Sequence, residues 1–271
     1  GKSAQARYDY YLTLTELYSE AFADRIGGWC AKNGIAFTGH IDGEESMWAQ
    51  AMREGDAMRF YRSEGLPGID LLCDDTSFQT AKQAQSVARQ YGKIGVMSEL
   101  YGVTGWDFDF RGHKYQGDWQ AALGITLRVP HLSWVSMRGS AKRDYPASIS
   151  YQSSWYREYP MIEDHFARVN TALTRGEAVV KVAVLHPMRS MWTLMGDREH
   201  NGGLIADLDN DFRTLSEWLL RGQIDFDYVS ESLVDELYEK TEKGLKMGKM
   251  TYDVLVIPPI YTLHSTMQKI I

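Results

Sequence analysis

A chain of 271 residues, 44% hydrophobic and 24% charged, is long enough to bury one or two cores. Its 29 basic against 36 acidic side chains leave a net charge of −7, which excludes nucleic acid as a main partner. No apolar run reaches the ~18 to 20 residues that cross a bilayer, so no membrane partner is expected. The first residues lack the apolar stretch of a signal peptide. A periplasmic or secreted protein is expected if such a signal was removed upstream, and a cytoplasmic one otherwise. The two cysteines, Cys30 and Cys73, are too few for a disulfide framework and read as small buried side chains. Aromatic residues make up 12% of the chain, with eight Trp. Many fall in predicted loops, a placement that suits a carbohydrate surface.

In chain order, residues 6–33 predict a long helix on the helical spacing of Tyr10, Leu14, Leu17, Tyr18, Ala21, Phe22, Ile26 and Trp29, stopped by Asn33 and Gly34. A short apolar strand at 35–41 leads into His40, Asp42, Glu44 and Glu45. A helix over 45–64, a strand over 68–73 ending in Asp74 and Asp75, and a helix over 76–91 capped by Gly92 follow. Residues 94–98 then form a strand that delivers Glu99 to its C-terminal end. A loop rich in aromatic and charged side chains spans 101–116, a short helix 117–123, and a fourth strand 125–134. A long loop without periodicity leads to a helix at 158–175 capped by Gly176.

The pattern changes near residue 177. Strands at 179–185, 226–230 and 252–257 alternate with helices at 209–221 and 231–242, a second βαβαβ series. It resembles a doubly wound sheet, but His186 and Pro187 stand where a dinucleotide-binding fold has its glycine-rich turn. Only four predicted strands precede residue 177, half of what a closed β/α barrel needs. The expected architecture is therefore α/β: half of a TIM-type β/α barrel or an open sheet over 1–176, joined to a partial flavodoxin-like domain over 177–271.

Acids at strand ends of such a barrel lie on its C-terminal face, where barrel enzymes act. An acid ending an apolar strand is costly unless paired or used, so Glu99 is the first candidate for chemistry. Glycoside hydrolysis uses two carboxyl groups, one to protonate the leaving group and one to attack or activate water. The pair expected here is Glu99 with Glu44 or Glu45, one of which opens a helix and complements its dipole. Around them His40, Trp106, Arg111, His113, His131 and Trp134 are candidates for substrate contacts, and Asp42, Lys114, Asp118 and Trp119 stand nearby. Asp107 and Asp109 have the oxygen donors for a hard cation such as calcium, or form a salt link with Arg111 or Lys114. No cofactor is required, with calcium the one candidate ion. A metal-dependent sugar isomerase would need His40, Asp42 and Glu44 to converge.

Several segments resemble the C-terminal part of the catalytic barrel in large bacterial glycoside hydrolases, most nearly family 106, the α-L-rhamnosidases. They are Ser98-Glu-Leu-Tyr-Gly102, Gly124-Ile-Thr-Leu-Arg-Val-Pro-His131, Ser133-Trp134, Lys142-Arg-Asp-Tyr-Pro146, Trp155-Tyr156 and Arg168-Val-Asn-Thr-Ala-Leu-Thr-Arg-Gly176. In that family a β/α domain follows, beginning much like Val182-Ala-Val-Leu-His-Pro187. The resemblance implies an acid on one strand end and a base on a later one, mapping to Glu44 or Glu45 and Glu99, and a calcium ion. The expected architecture is then the C-terminal half of a TIM-type barrel over 1–176, and the expected activity is hydrolysis of a glycosidic bond in a plant-type oligo- or polysaccharide. The competing expectation is a non-catalytic carbohydrate-binding or structural remnant. Naked strand edges of a half-barrel invite pairing, so a homo-oligomer is expected.

Overall fold

The computed structural model describes residues 2–72, 75–140 and 149–271. Cys73, Asp74 and the Lys142 to Pro146 segment lie outside the described residues. The long N-terminal helix forms as α1 (Lys2–Ser19), a π-helical turn (Glu20–Asp24) and α2 (Arg25–Lys32). Its buried stripe is not the expected aromatic one: Tyr10, Leu17 and Trp29 are 60% exposed or more, while Thr15, Ser19, Ala23, Gly27 and Cys30 face inward. Close approach explains the choice. A Cβ on Gly27 would strike the carbonyl oxygen of Ser63, and the buried Arg59 pairs with Glu16 and Asp24 on the same side of the helix.

Residues 35–41 form no strand. Their backbone makes isolated bonds instead, Phe37 O accepting from the amides of Gly65 and Leu66. The expected helix over 45–64 divides into α3 (Met47–Arg53), capped by Ser46, and α4 (Ala57–Tyr61), capped by Asp56. Gly55 breaks it with a φ of 91° and leaves no room for a side chain against Thr15.

Next come β1 (Gly68–Leu71), α5 (Phe78–Tyr91), β2 (Val96–Leu100), α6 (Phe110–Ala122), β3 (Ile125–Pro130) and α7 (Pro160–Leu173). Gly92 ends α5 with a φ of 67°, and the Lys93 amide bonds back to Ala88 O at 2.8 Å. Helix α6 starts seven residues earlier than the short helix expected at 117, because Asp109 accepts from the amides of Arg111 and Gly112 and caps it there. The strands form one parallel sheet in sequence order, β1-β2-β3. Three strands thus stand where four were expected.

Beyond residue 177 follow β4 (Val182–His186), α8 (Met188–Leu194), α9 (Arg198–Arg221) and β5 (Phe226–Ser230). The helix expected over 231–242 is only α10 (Val234–Leu237). Three short antiparallel strands, β6 (Tyr238–Glu239), β7 (Leu245–Met247) and β8 (Met250–Tyr252), come next, turning at the positive-φ Gly244 and Gly248. Strand β9 (Val254–Val256) and α11 (Ser265–Ile270) complete the chain. The second parallel sheet has the order β5-β4-β9, the central strand coming first in sequence, as in the doubly wound pattern.

Helix α5 lies between the two sheets and is buried nearly all round, although Gln79, Thr80, Lys82, Gln83, Gln85, Ser86 and Gln90 line it. The polar groups are met from both sides. Gln83 bonds Gln50 and the Glu44 carbonyl on one side and approaches His186 on the other, while Gln90 donates to Tyr228 O. Lys82 and Arg89 pair with Asp225 and Asp227 beside β5. One apolar cluster, from Ala23 through Val96 to Met267, runs through both sheets.

Candidate active site

Asp70 of β1, Glu99 of β2 and Val129 of β3 are register partners, so their side chains emerge on one face, near the C-terminal ends of three parallel strands. The residues two places earlier, Gly68, Met97 and Leu127, continue that face. Asp70 and Glu99 therefore stand side by side on strands ~4.8 Å apart. His40 reaches over them from the irregular segment before α3. Its Nε2 lies 2.7 Å from a Glu99 oxygen and its Nδ1 lies 3.9 Å from Asp70 Oδ2. The three side chains are 25% to 35% exposed, open enough to meet a ligand.

Burial pushes the Asp70 carboxyl above its ordinary range, and the Glu99 charge adds to the shift, while His40 and His131 oppose it. Asp70 Oδ1 is buried without a hydrogen-bond partner. A carboxyl whose pKa is raised beside a second carboxylate is the arrangement that separates an acid from a base. His131, just past β3, joins the site: its amide donates to Leu100 O at 2.7 Å, and its ring packs so tightly over Gly102 that no side chain would fit there.

Behind this layer sits Glu44, 3% exposed. Its carboxylate accepts from the Tyr61 hydroxyl and from the amide of Asp70. Desolvation drives its pKa well up. Glu44 thus fixes the backbone that carries Asp70 and does not face solvent. Glu45 is exposed and lies just before Ser46, the cap of α3. The expected partnership of Glu99 with Glu44 or Glu45 is therefore not the arrangement found; the neighbour of Glu99 is Asp70. The signal for Asp70 was present, an acid inside the apolar strand Gly68–Leu71.

The chain leaves β2 under backbone strain. Tyr101 and Val103 have φ angles of 77° and 62°, a region costly for a β-branched residue. Trp106 is 45% exposed and its ring meets that of Trp134 at 5.4 Å, an aromatic wall beside the loop. His113 departs from expectation. It is fully buried among Tyr101, Phe108, Trp155 and Tyr159, its Nδ1 bonds Asp109 O at 2.8 Å, and burial lowers its pKa, so it stays neutral in the core. Arg111 points into solvent and pairs with Asp109.

Of the expected cation donors Asp107 and Asp109, the second is otherwise engaged. Asp109 caps α6 and binds Arg111, and among the described residues no three His, Cys, Asp or Glu side chains converge in a metal-binding group. The triad an isomerase would need also diverges: His40 pairs with Glu99, Asp42 with Arg53, and Glu44 is buried.

No family model matches the chain. A protein from Formosa agariphila named putative beta-glucuronidase is 24% identical over 261 residues, covering 93% of this chain and 20% of its own length. The solved structure of a rhamnosidase from Novosphingobium sp. PP1Y superposes with a TM-score of 0.67 at 19% identity, over 92% of this chain and 23% of the rhamnosidase. The fold is thus one found within a rhamnosidase. The chain spans about a fifth of the curated relative it matches and under a quarter of the solved one.

Proposed function

We propose that the chain forms the Glu99-bearing part of a glycoside hydrolase of the family 106 kind, with Glu99 as nucleophile or base and Asp70 as the protonated neighbour. The observation that carries this reading is the Glu99, His40 and Asp70 cluster at the C-terminal ends of parallel strands. A carboxylate there can stabilise the cationic character that develops at the anomeric carbon or activate water against it, while a protonated carboxyl assists departure of the alcohol. His40, held between the two acids, orients Glu99. The rhamnosidase fold and the relative named beta-glucuronidase support a sugar substrate, and the Trp106 and Trp134 wall offers apolar faces to a pyranose in a plant-type oligo- or polysaccharide. If the leaving-group acid is Asp70, its carboxyl will lie about 5 Å from that of Glu99 for a retaining reaction or about 6.5 to 9.5 Å for an inverting one.

The test is release of nitrophenol from aryl α-L-rhamnosides and aryl β-D-glucuronides by the parent and by Glu99→Gln. Turnover that falls by ~10²-fold to 10⁴-fold with sugar binding retained supports the assignment. Full activity in Glu99→Gln would overturn it. Binding without turnover in the parent would favour the carbohydrate-binding reading, which the exposed Trp106 supports.

Leu127 and Val129 on the face shared with Glu99 are 43% and 42% exposed, which supports a partial barrel with an uncovered inner wall. We propose that copies associate to cover it; a monodisperse monomer in light scattering at micromolar concentration would refute this.

A further inference from the structure

A second concave site lies against the other sheet. It is a cleft of about 680 Å³ walled by the start of α1, by α8, and by the segment after β9. Helix α8 and that segment leave the C-terminal ends of β4 and β9, neighbours in the order β5-β4-β9. The strand order reverses between them, and ligands of doubly wound sheets bind at that reversal. Ser190 fixes the outgoing segment, its hydroxyl accepting from the amides of Tyr261 and Thr262.

The charge of the lining is one-sided. Arg7, Arg189 and His264 line the cleft and no carboxylate does. Neither arginine lies within ion-pair distance of an acid among the described residues. Arg189 is 7% exposed, bonds the Tyr8 hydroxyl and Glu231 O, and leaves its buried Nε without a partner. His264 likewise leaves Nδ1 buried and unpartnered. Acids stand behind the wall: the Glu231 carboxylate accepts from the His264 amide, and Asp235 lies 3.5 Å from His264 Nε2. Glu231 is near enough for the Arg189 charge to act on it but makes no direct ion pair with the guanidinium, and a buried guanidinium with an open donor is costly unless something completes it. Tyr8 and Tyr261 add ring surface, and Asn201 adds an amide.

We propose that this cleft binds a small organic oxyanion, a carboxylate or phosphate carried on a body the size of a monosaccharide, with Arg189 and Arg7 as the anion-holding pair. The planar fork of arginine suits either oxyanion. The cavity is ample for one sugar ring and its acid group.

Isothermal titration calorimetry on the purified protein tests it, with D-glucuronate, glucose 6-phosphate, inorganic phosphate and glucose as probes. Either charged sugar should bind at least tenfold more tightly than glucose, with affinity falling as NaCl rises. A preference for glucuronate identifies a carboxylate ligand, and a preference for glucose 6-phosphate and phosphate a phosphorylated one. Arg7 Nε also donates to Thr193 O at 2.8 Å, so Arg7→Gln, at a partly exposed position, should weaken binding at least tenfold with the far-UV circular dichroism of the fold retained; Arg189→Lys should do so while keeping the charge. Glu99→Gln should leave the affinity as it was, separating this cleft from the strand-end site. Equal binding of glucose and the acids, no binding at all, or full affinity in Arg7→Gln would overturn the proposal.

Discussion

Nε2 of His40 stands 2.7 Å from the Glu99 carboxylate, and Nδ1 of the same ring stands 3.9 Å from Asp70. One imidazole on an irregular segment thus spans the acids of two adjacent strands. His40→Gln removes the charge that opposes protonation of Asp70. The limb of the pH-activity profile governed by Asp70 should then move to higher pH, with turnover lowered ~10-fold to 100-fold. An unchanged profile would show that His40 does not couple the acids.

Lys82 of α5 is fully buried, 2.8 Å from Asp225 and 3.8 Å from the equally buried Asp227. Lys82→Met leaves Asp227 with Arg89 and the Tyr252 hydroxyl. Breaking such a buried set from one side costs about 3 to 5 kcal/mol, which urea denaturation followed by circular dichroism would read. Because α5 serves both sheets, the loss should appear in a single transition and not in one of two.

Glu54 and Glu64 are both buried, and desolvation pushes each carboxyl up to about 9. Their folded pKa values exceed the unfolded ones, so the folded state binds more protons between about 4.5 and 9. Stability from these groups is complete below the lower value and is lost as pH rises toward the upper, with a slope of up to ~1.4 kcal/mol per pH unit for each group. Melting temperatures from pH 5 to 9 should fall, and Glu54→Gln with Glu64→Gln should flatten the fall.

Val103 holds a φ of 62° at a partly exposed position. Val103→Gly removes strain of ~1 to 3 kcal/mol at the cost of greater freedom in the unfolded chain, worth about 1 kcal/mol. A gain of about 1 kcal/mol, seen as a higher melting temperature, is expected. A loss would show that the valine side chain contributes more than its backbone costs.

Local signals carried much of the architecture. The apolar run at 226–230 is β5 as expected, Gly92 caps α5, and the 125–134 strand forms over Ile125–Pro130. Glu99 was legible because a charge in an apolar strand is unusual whatever the fold. The three-stranded meander after Leu237 was not, since two- and three-residue strands are too short to show alternation. The burial of helix α5 was not legible either. Its glutamines and lysine look like a solvated face, and only the polar groups supplied by β5, Gln50 and His186 make them interior.

The sequence by itself determined most of the longer elements, the βα alternation and the placing of one acid at a strand end, because periodicity and capping act within a few residues. Tertiary structure decided the rest. Strand register set Asp70 beside Glu99, burial turned Glu44 from a candidate acid into the support of Asp70, and close packing chose the small-residue stripe of α1 and α2 over its aromatic one. These outcomes depend on what stands opposite a side chain in space, and that partner lies tens of residues away in the chain.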